Sequence, residues 1–522
     1  MPAKVLVIGF DALEATLIER WIGEGSLPTF ARLSTDSTVF HLDNHVELLQ
    51  DTIWVETTTG RSGARMGWYW KPRQVHSGEA RQRPNSPEDF DLTALWDHAS
   101  CAGRRTAVLD VHNAAPSPDI NGLHLRGWGV HYPICVGSDP PEFFEEVERA
   151  YGAYPVPHTF GRGCDSVDGS YESLDFLLRR LRKAISVKTR LFRDVLDREN
   201  WDLFFGAFAE AHCVGHHLWH LHDETSPLHD PDAPPELRNG VREVYTLLDE
   251  ALGRVLEKAG DTTATLVFLS HGMGPNVGGW QLLPEILLRL GYTPAPPETV
   301  RIARSLLPAP AKRAAKRFLL RGGGTLLRSA AFRYLEPLES PRTRAIAERC
   351  GGNGVIRLNV ADRDPFGSIQ PGEEYDAACA ELTCELEALR DTTTGEPVVE
   401  AVLRADVVFG EGLHPNIPDL IVRFRRSRPI TSVTSPRVGT VSTATRAERR
   451  TGDHTPHSRL WAHGPGIAAG RSVKGGHVFD LAPTVLKLLD VPVPAGLDGS
   501  ALKLRDQVVV SPGAKRFGYA LR

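Results

Sequence analysis

Residues 201–220 read WDLFFGAFAEAHCVGHHLWH. The run from Trp201 to Phe208 is short, apolar and rich in aromatic residues, the pattern of a strand buried on both faces. It passes almost directly into a histidine-dense stretch, and six of the chain's 20 histidines fall between 212 and 229. His212, His216 and His220 are spaced four apart, so on a helix they share one face. A strand that runs straight into a helix has its carboxyl end at the junction, where open α/β sheets bind ligands. Paired imidazoles at i and i+4 converge on one cation without backbone strain. A neutral imidazole offers its lone pair near pH 7 and suits Zn²⁺ or Mn²⁺ better than Ca²⁺.

The same strand-to-helix grammar recurs on either side. Val5–Gly9 (VLVIG) reads as a buried strand, followed by helical spacing from Leu13 to Trp21 that stops at GEGSLP, 23–28. Thr106–Asp110, Thr265–Ser270 and Asp419–Phe424 read as further strands, and residues 170–199 and 235–259 as amphipathic helices. Strands alternating with helices imply an α/β fold, a largely parallel sheet sandwiched by helices. The alternation breaks at 281–395, with PAPP at 294–297, a basic segment from Arg301 to Arg328, GGG at 322–324, a strand-like 354–359 and a helix at 372–390. This stretch is expected to be an inserted cap and substrate region. The core then comprises 1–280 and 396–505, with 506–522 as a tail.

Composition narrows the classes of function. The 522 residues are 41% hydrophobic and 24% charged, which excludes a disordered chain. A net charge of −5 provides no general field for nucleic acid or an anionic membrane. No apolar run reaches the ~18–20 residues of a membrane span, and the N-terminal run is too short for a secretory leader. The seven cysteines are odd in number and scattered, as in a chain of reduced thiols. These features together set a cytoplasmic expectation. Oligomeric state is not legible at this level.

Other strand ends carry the same kind of side chain. Asp11 comes after the first strand, as a cation ligand or a helix cap. His271 comes after the 265–270 strand and precedes a glycine. TGDHTPH at 451–457 places His454 shortly before GPGI at 464–467.

Together these segments resemble the alkaline phosphatase superfamily, in its type I phosphodiesterase/nucleotide pyrophosphatase branch. GFDA (9–12) with GSLPTFARL (25–33) resembles that branch's opening strand and helix, and DTIWVETTTGRSGARMG (51–67) its nucleophile segment. Residues 210–219 resemble its Asp-x-x-x-His motif, SHGM (270–273) its Asp-His-Gly motif, and 452–467 the segment of its last metal histidine. DLAPTVLKLL (480–489) and LDG (497–499) resemble its C-terminal signature. NGLHLRGWGVH (121–131) and IRLNVADRDPFG (356–367) look like a subgroup of that branch; Trp128 and His131 are candidates to stack or hydrogen-bond near the site, with core packing the alternative for Trp128.

The resemblance implies an alkaline-phosphatase-like fold and two divalent cations. Carried over by position, His212, His216 and His454 would hold the first ion, and Asp11 and His271 the second. Three departures stand out. His212 and Ser270 occupy positions where the branch has Asp. Gln50, four residues before Trp54, occupies the nucleophile position and cannot attack. Thr52 is the nearest hydroxyl, at the start of a helix whose N–H groups would favour an alkoxide. Replacing two carboxylates by neutral groups makes a two-ion site more positive by about two charges, which favours one cation. Glu210 would point about 200° away from His212 on a regular helix. The expectation is a metal-dependent hydrolase of small phosphoesters, most naturally phosphodiesters or nucleotide-type pyrophosphates. It would use zinc, with manganese as second choice, as one or two ions. Water activated directly, a phosphoryl or sulfuryl transferase or mutase, and a non-catalytic metal- or anion-binding descendant are the alternatives.

Overall fold

The computed structural model describes residues 4–504, save 50, 70–73, 80–81, 84, 131–132, 157–166, 227, 296–337, 339 and 444–449. Gln50, His131, the basic segment 301–328 and the tail 506–522 therefore lie outside the described residues.

A nine-stranded sheet organises the chain. Its order is Arg471–His477, Thr38–Asp43, Ser458–His463, Ala264–Leu269, Val5–Phe10, Leu203–Phe208, Thr106–Leu109, Gly122–Arg126 and Gly137–Asp139. Only Ser458–His463 and Gly137–Asp139 run against their neighbours on both sides or at the edge. The first strand sits in the middle, parallel to both neighbours, with Phe10 level with Phe208 and Leu269. Its continuous apolar sequence reflects burial on both faces. Leu6, Ile8 and Phe10 pack into one core, whereas Val5 and Val7 pack into another. Each such side chain contributes roughly 1.5–3 kcal/mol on burial.

The first core is closed by the helices Tyr171–Arg198, Glu210–His222 and Gly240–Ala259, and the second by Ile53–Thr59, Leu95–Cys101 and Leu481–Leu488. The long helix begins at Ser170, whose side chain accepts from the Ser173 N–H, and buries Leu174, Leu177, Leu178 and Leu181. The mostly parallel sheet sandwiched by helices is thus present as expected.

One strand assignment is corrected. Leu420–Phe424, expected in the main sheet, lies in a separate antiparallel sheet of order Ala345–Cys350, Asn353–Leu358, Leu420–Phe424, Val399–Arg404. An apolar run alone cannot distinguish a central parallel strand from one in a smaller packed sheet. This sheet, with the helix Glu373–Glu387, buries its own core, which includes Leu283, Ile356, Leu382, Val422 and Val441. Ser432–Ser435 and Gly439–Ser442 pair with each other outside the main sheet. The chain rejoins the main sheet at Ser458–His463. Among the described residues no helix is long and apolar enough to cross a membrane, and no disulfide joins the described cysteines.

Candidate metal centre

Adjacent parallel strands deliver their carboxyl ends to one rim: Leu269 to Ser270 and His271, Phe10 to Asp11, Phe208 to the His212 helix, and Leu109 to His112. Ser458–His463 runs the other way, so the residues just before it reach the same rim. They form the short strand Gly452–Thr455, paired with Gly272–Pro275 so that His454 faces Met273 in register.

Two glycines let this strand approach the histidine helix. A Cβ on Gly452 would stand 2.1 Å from the Gly215 carbonyl oxygen, and one on Gly215 would stand 2.7 Å from Met273 Cγ. The close approach brings His216 Nδ1 to 2.7 Å from the Gly452 carbonyl and the Thr451 N–H to 2.7 Å from the His216 carbonyl. Because a carbonyl only accepts, His216 carries its proton on Nδ1, and its Nε2 lone pair points inward.

His212 Nε2 lies 3.1 Å from both His216 Nε2 and His454 Nε2. All three rings are buried, and their donor atoms lie within 4.8 Å of one another. A proton on one nitrogen serves one linear hydrogen bond, so one of the two contacts would otherwise oppose two lone pairs. Tetrahedral zinc with ~2.0–2.1 Å bonds spaces its ligand atoms about 3.4 Å apart, close to the observed 3.1 Å. Burial, with help from His271 and His216, pushes the His454 pKa well below the usual histidine value, which leaves it a neutral donor. The three residues fit a divalent transition-metal ion. His220, on the same face, bonds instead to Thr451 through Nδ1 at 3.0 Å.

Asp11 and His271 are brought alongside but are held differently. Trp54 Nε1 donates to Asp11 Oδ1 at 2.8 Å, Ser270 Oγ donates to the same oxygen at 3.3 Å, and His112 Nε2 stands 3.3 Å from Oδ2. Trp54 reaches Asp11 because position 9 is glycine: a Cβ there would fall 2.6 Å from the indole. Ala12, the next residue, takes a left-handed φ of 60°. His271 Nδ1 lies 2.9 Å from Ser270 Oγ and 3.9 Å from Asp11 Oδ1. With the Ser270 proton given to Asp11, Oγ accepts from His271 Nδ1–H, and Nε2 keeps its lone pair. That Nε2 is buried without a hydrogen-bond partner among the described residues. The His271 ring is centred 4.1 Å from that of His454 but 6.5 Å from that of His212. Burial pushes the His271 pKa down, against the pull of Asp11 and Asp453.

Thr52 is fully buried, with Oγ1 donated to the Leu49 carbonyl at 3.0 Å and Cγ2 2.3 Å from where a Gly63 Cβ would be. It precedes the helix Ile53–Thr59 but makes no side-chain cap bond to it. Glu210 turns away from the histidines. It accepts from Tyr154 Oη and lies 3.6 Å from the buried Lys188 ammonium.

Two residues at the rim were not singled out from sequence. His112 comes just after its strand as His271 does after its own, carried by a turn with left-handed φ of 56° at Asp110 and Asn113. Asp453 adjoins His454. It is 1% exposed, and neither carboxylate oxygen has a hydrogen-bond partner among the described residues. The inserted sheet's hairpin covers it: a Cβ on Gly352 would stand 2.7 Å from Asp453 Oδ2. Arg349 from that hairpin is lowered in pKa by burial, an effect Asp453 and Asp51 oppose.

A model of the type I phosphodiesterase / nucleotide pyrophosphatase family matches residues 5–456. No curated protein matches in sequence. Solved structures of similar overall shape include murine ectonucleotide pyrophosphatase / phosphodiesterase 5, with a TM-score of 0.46 and 13% identity over 95% of this chain and 97% of that one. The human counterpart gives 0.45 and 13% over the same shares. An inactive murine variant in complex with AMP gives 0.44 and 12%, again over 95% and 97%.

Proposed function

The chain belongs to the type I phosphodiesterase / nucleotide pyrophosphatase family, and on that premise we propose that it hydrolyses small phosphodiester or nucleotide-type pyrophosphate bonds at a single divalent cation held by His212, His216 and His454. The observation that carries this reading is the convergence of the three imidazoles, with His216 locked in the ligating tautomer by the Gly452 carbonyl. Zinc suits an all-imidazole set best, with manganese second. Such a cation supplies positive charge to the phosphoryl oxygens as they gain negative charge in the transition state.

The protein's own residues do the rest. Where the resemblance implied a second ion, Asp11 is already engaged by Trp54, Ser270 and His112. Its negative charge is therefore met by protein donors. The chain from Asp11 through Ser270 to His271 holds the His271 ring beside that of His454. In our reading His271 takes the proton of an attacking water. A group kept neutral by burial can do this. Thr52 then packs the segment and does not attack. Asp453, on the strand that carries His454, is covered by the hairpin that carries Arg349, whose guanidinium would suit an anionic phosphoester. The expected ligand is a small molecule.

The test is turnover of bis(4-nitrophenyl) phosphate and 4-nitrophenyl phosphate by protein stripped with a chelator and reloaded with Zn²⁺ or Mn²⁺. We expect no turnover by the stripped form and metal-restored cleavage with preference for the diester. Equal rates with and without metal would refute the role of the three histidines.

A further inference from the structure

A second group of metal-ligating side chains lies away from the rim histidines. His45 comes just after the strand Thr38–Asp43, Glu56 lies in the helix Ile53–Thr59, and His477 ends the edge strand Arg471–His477. Their donor atoms fall within 4.8 Å of one another. His45 Nδ1 is 2.8 Å from Glu56 Oε1, which also accepts the Gly63 N–H at 2.9 Å.

Two atoms in this group are left over. Glu56 Oε2 and His477 Nε2 are buried, and neither has a hydrogen-bond partner among the described residues. Glu56 is 0% exposed. A carboxylate there costs free energy unless positive charge sits beside it. His45 Nδ1 and the Gly63 N–H both face its Oε1, so the site is arranged for an anion. His477 Nδ1 accepts from the Phe479 N–H at 3.5 Å, the far limit of a hydrogen bond, and ligation through Nε2 would exchange that weak bond for one to the ion.

The backbone also aims these groups at one point. Pairing of the edge strand with Thr38–Asp43 slips between His41 and Asp43, and this irregularity sets His477 opposite Asp43. The His477 ring stacks on Phe479 at 3.7 Å and stands 4.4 Å from the His45 ring. The His45 side chain is 13% exposed, which leaves an entry path from solvent.

We propose that His45, Glu56 and His477 bind a second transition-metal ion of the zinc class, with water completing the shell. Two imidazoles and one carboxylate are an established zinc donor set. Bringing donor atoms that lie within 4.8 Å of one another to the ~3.4 Å spacing of tetrahedral ligands takes at most a side-chain rotation. The ion would fasten the edge strand of the main sheet to the helix that carries Trp54. The proposal is independent of the cation at His212, His216 and His454.

The experiment uses the full chain, stripped and then reloaded with Zn²⁺, with metal counted by mass spectrometry. A variant carrying His212→Ala, His216→Ala and His454→Ala together should retain one zinc per chain. Adding His45→Ala or Glu56→Gln should remove it, with affinity down at least ~100-fold. In the otherwise native chain, His477→Ala alone should lower the count by one while activity with metal present persists, which keeps the test available if the triple variant does not fold. Cobalt loaded into the triple variant should give visible d–d absorption that Glu56→Gln abolishes. A folded triple variant without zinc, or a zinc count unchanged by His477→Ala, would overturn the proposal. A count of one in wild type that the triple variant keeps would refute the rim site and leave this one standing.

Discussion

His216 Nδ1 stands 2.7 Å from the carbonyl oxygen of Gly452, a residue 236 positions away in sequence. The contact joins the helix that carries His212 to the strand that carries His454, and it fixes which His216 nitrogen faces the other two rings. His216→Ala is therefore expected to lose the rim metal equivalent and turnover together, by more than the ~10–100-fold typical of removing a ligand's hydrogen-bond partner. Metal content and diester cleavage, measured on the same preparation, check this. Full metal content in the variant would contradict the ligand assignment.

Asp11 separates one cation from two. It is engaged by an indole N–H, a serine hydroxyl and an imidazole, so Asp11→Asn should leave the metal count at the rim unchanged. Activity should fall about 10–100-fold, because the chain that orients His271 loses its charge. Loss of one metal equivalent on this substitution would instead establish a second ion there.

Much of this arrangement is legible in the sequence for one reason. A parallel strand buried on both faces reads as an apolar run, and the residues immediately after it must lie on the rim. That rule places Asp11, His212 and His271, and it would equally place His112 from the segment 110–113. It does not place Asp453, whose importance comes from Gly352, a residue on a hairpin of a different sheet. Nor does it place Leu420–Phe424, because a short apolar-rich run carries no mark of which sheet it joins. The fate of Glu210 depends on Lys188 and Tyr154, contacts between residues far apart in the chain.

Thr52 tests the choice of attacking group. Its hydroxyl is buried and spent on the Leu49 carbonyl. Thr52→Ala should cost about 1 kcal/mol of stability, the scale of one buried hydrogen bond. Turnover should stay within about tenfold, and no phosphorylated enzyme should accumulate under single-turnover conditions. A loss of roughly 3 kcal/mol in transition-state stabilisation would make Thr52 the nucleophile.

The last expectation concerns pH. Glu14 gathers the Thr16 and Met273 N–H groups, the Thr455 hydroxyl and His457 Nδ1, with contacts of 3.1, 3.1, 2.6 and 2.8 Å. It thereby braces the paired strands that present His454. The hydrogen bond and charge of Glu14 raise the His457 pKa above its usual value of 6.5, against burial. The folded state thus holds this proton more tightly than the unfolded chain. Its stabilising effect is fully present below the unfolded pKa and is lost as pH rises through the folded one. Urea unfolding at pH 6, 7 and 8 should therefore show that His457→Gln costs more stability at pH 6 than at pH 8. Burial raises the Glu14 pKa, but His457, Thr455 and Thr16 bring it below 4.5. Its own contribution is thus kept above that value and lost only in acid. Acid unfolding of His457→Gln should accordingly begin at higher pH than in wild type, because the carboxylate has lost its strongest partner. An unchanged acid limb would mean that the two side chains are not coupled.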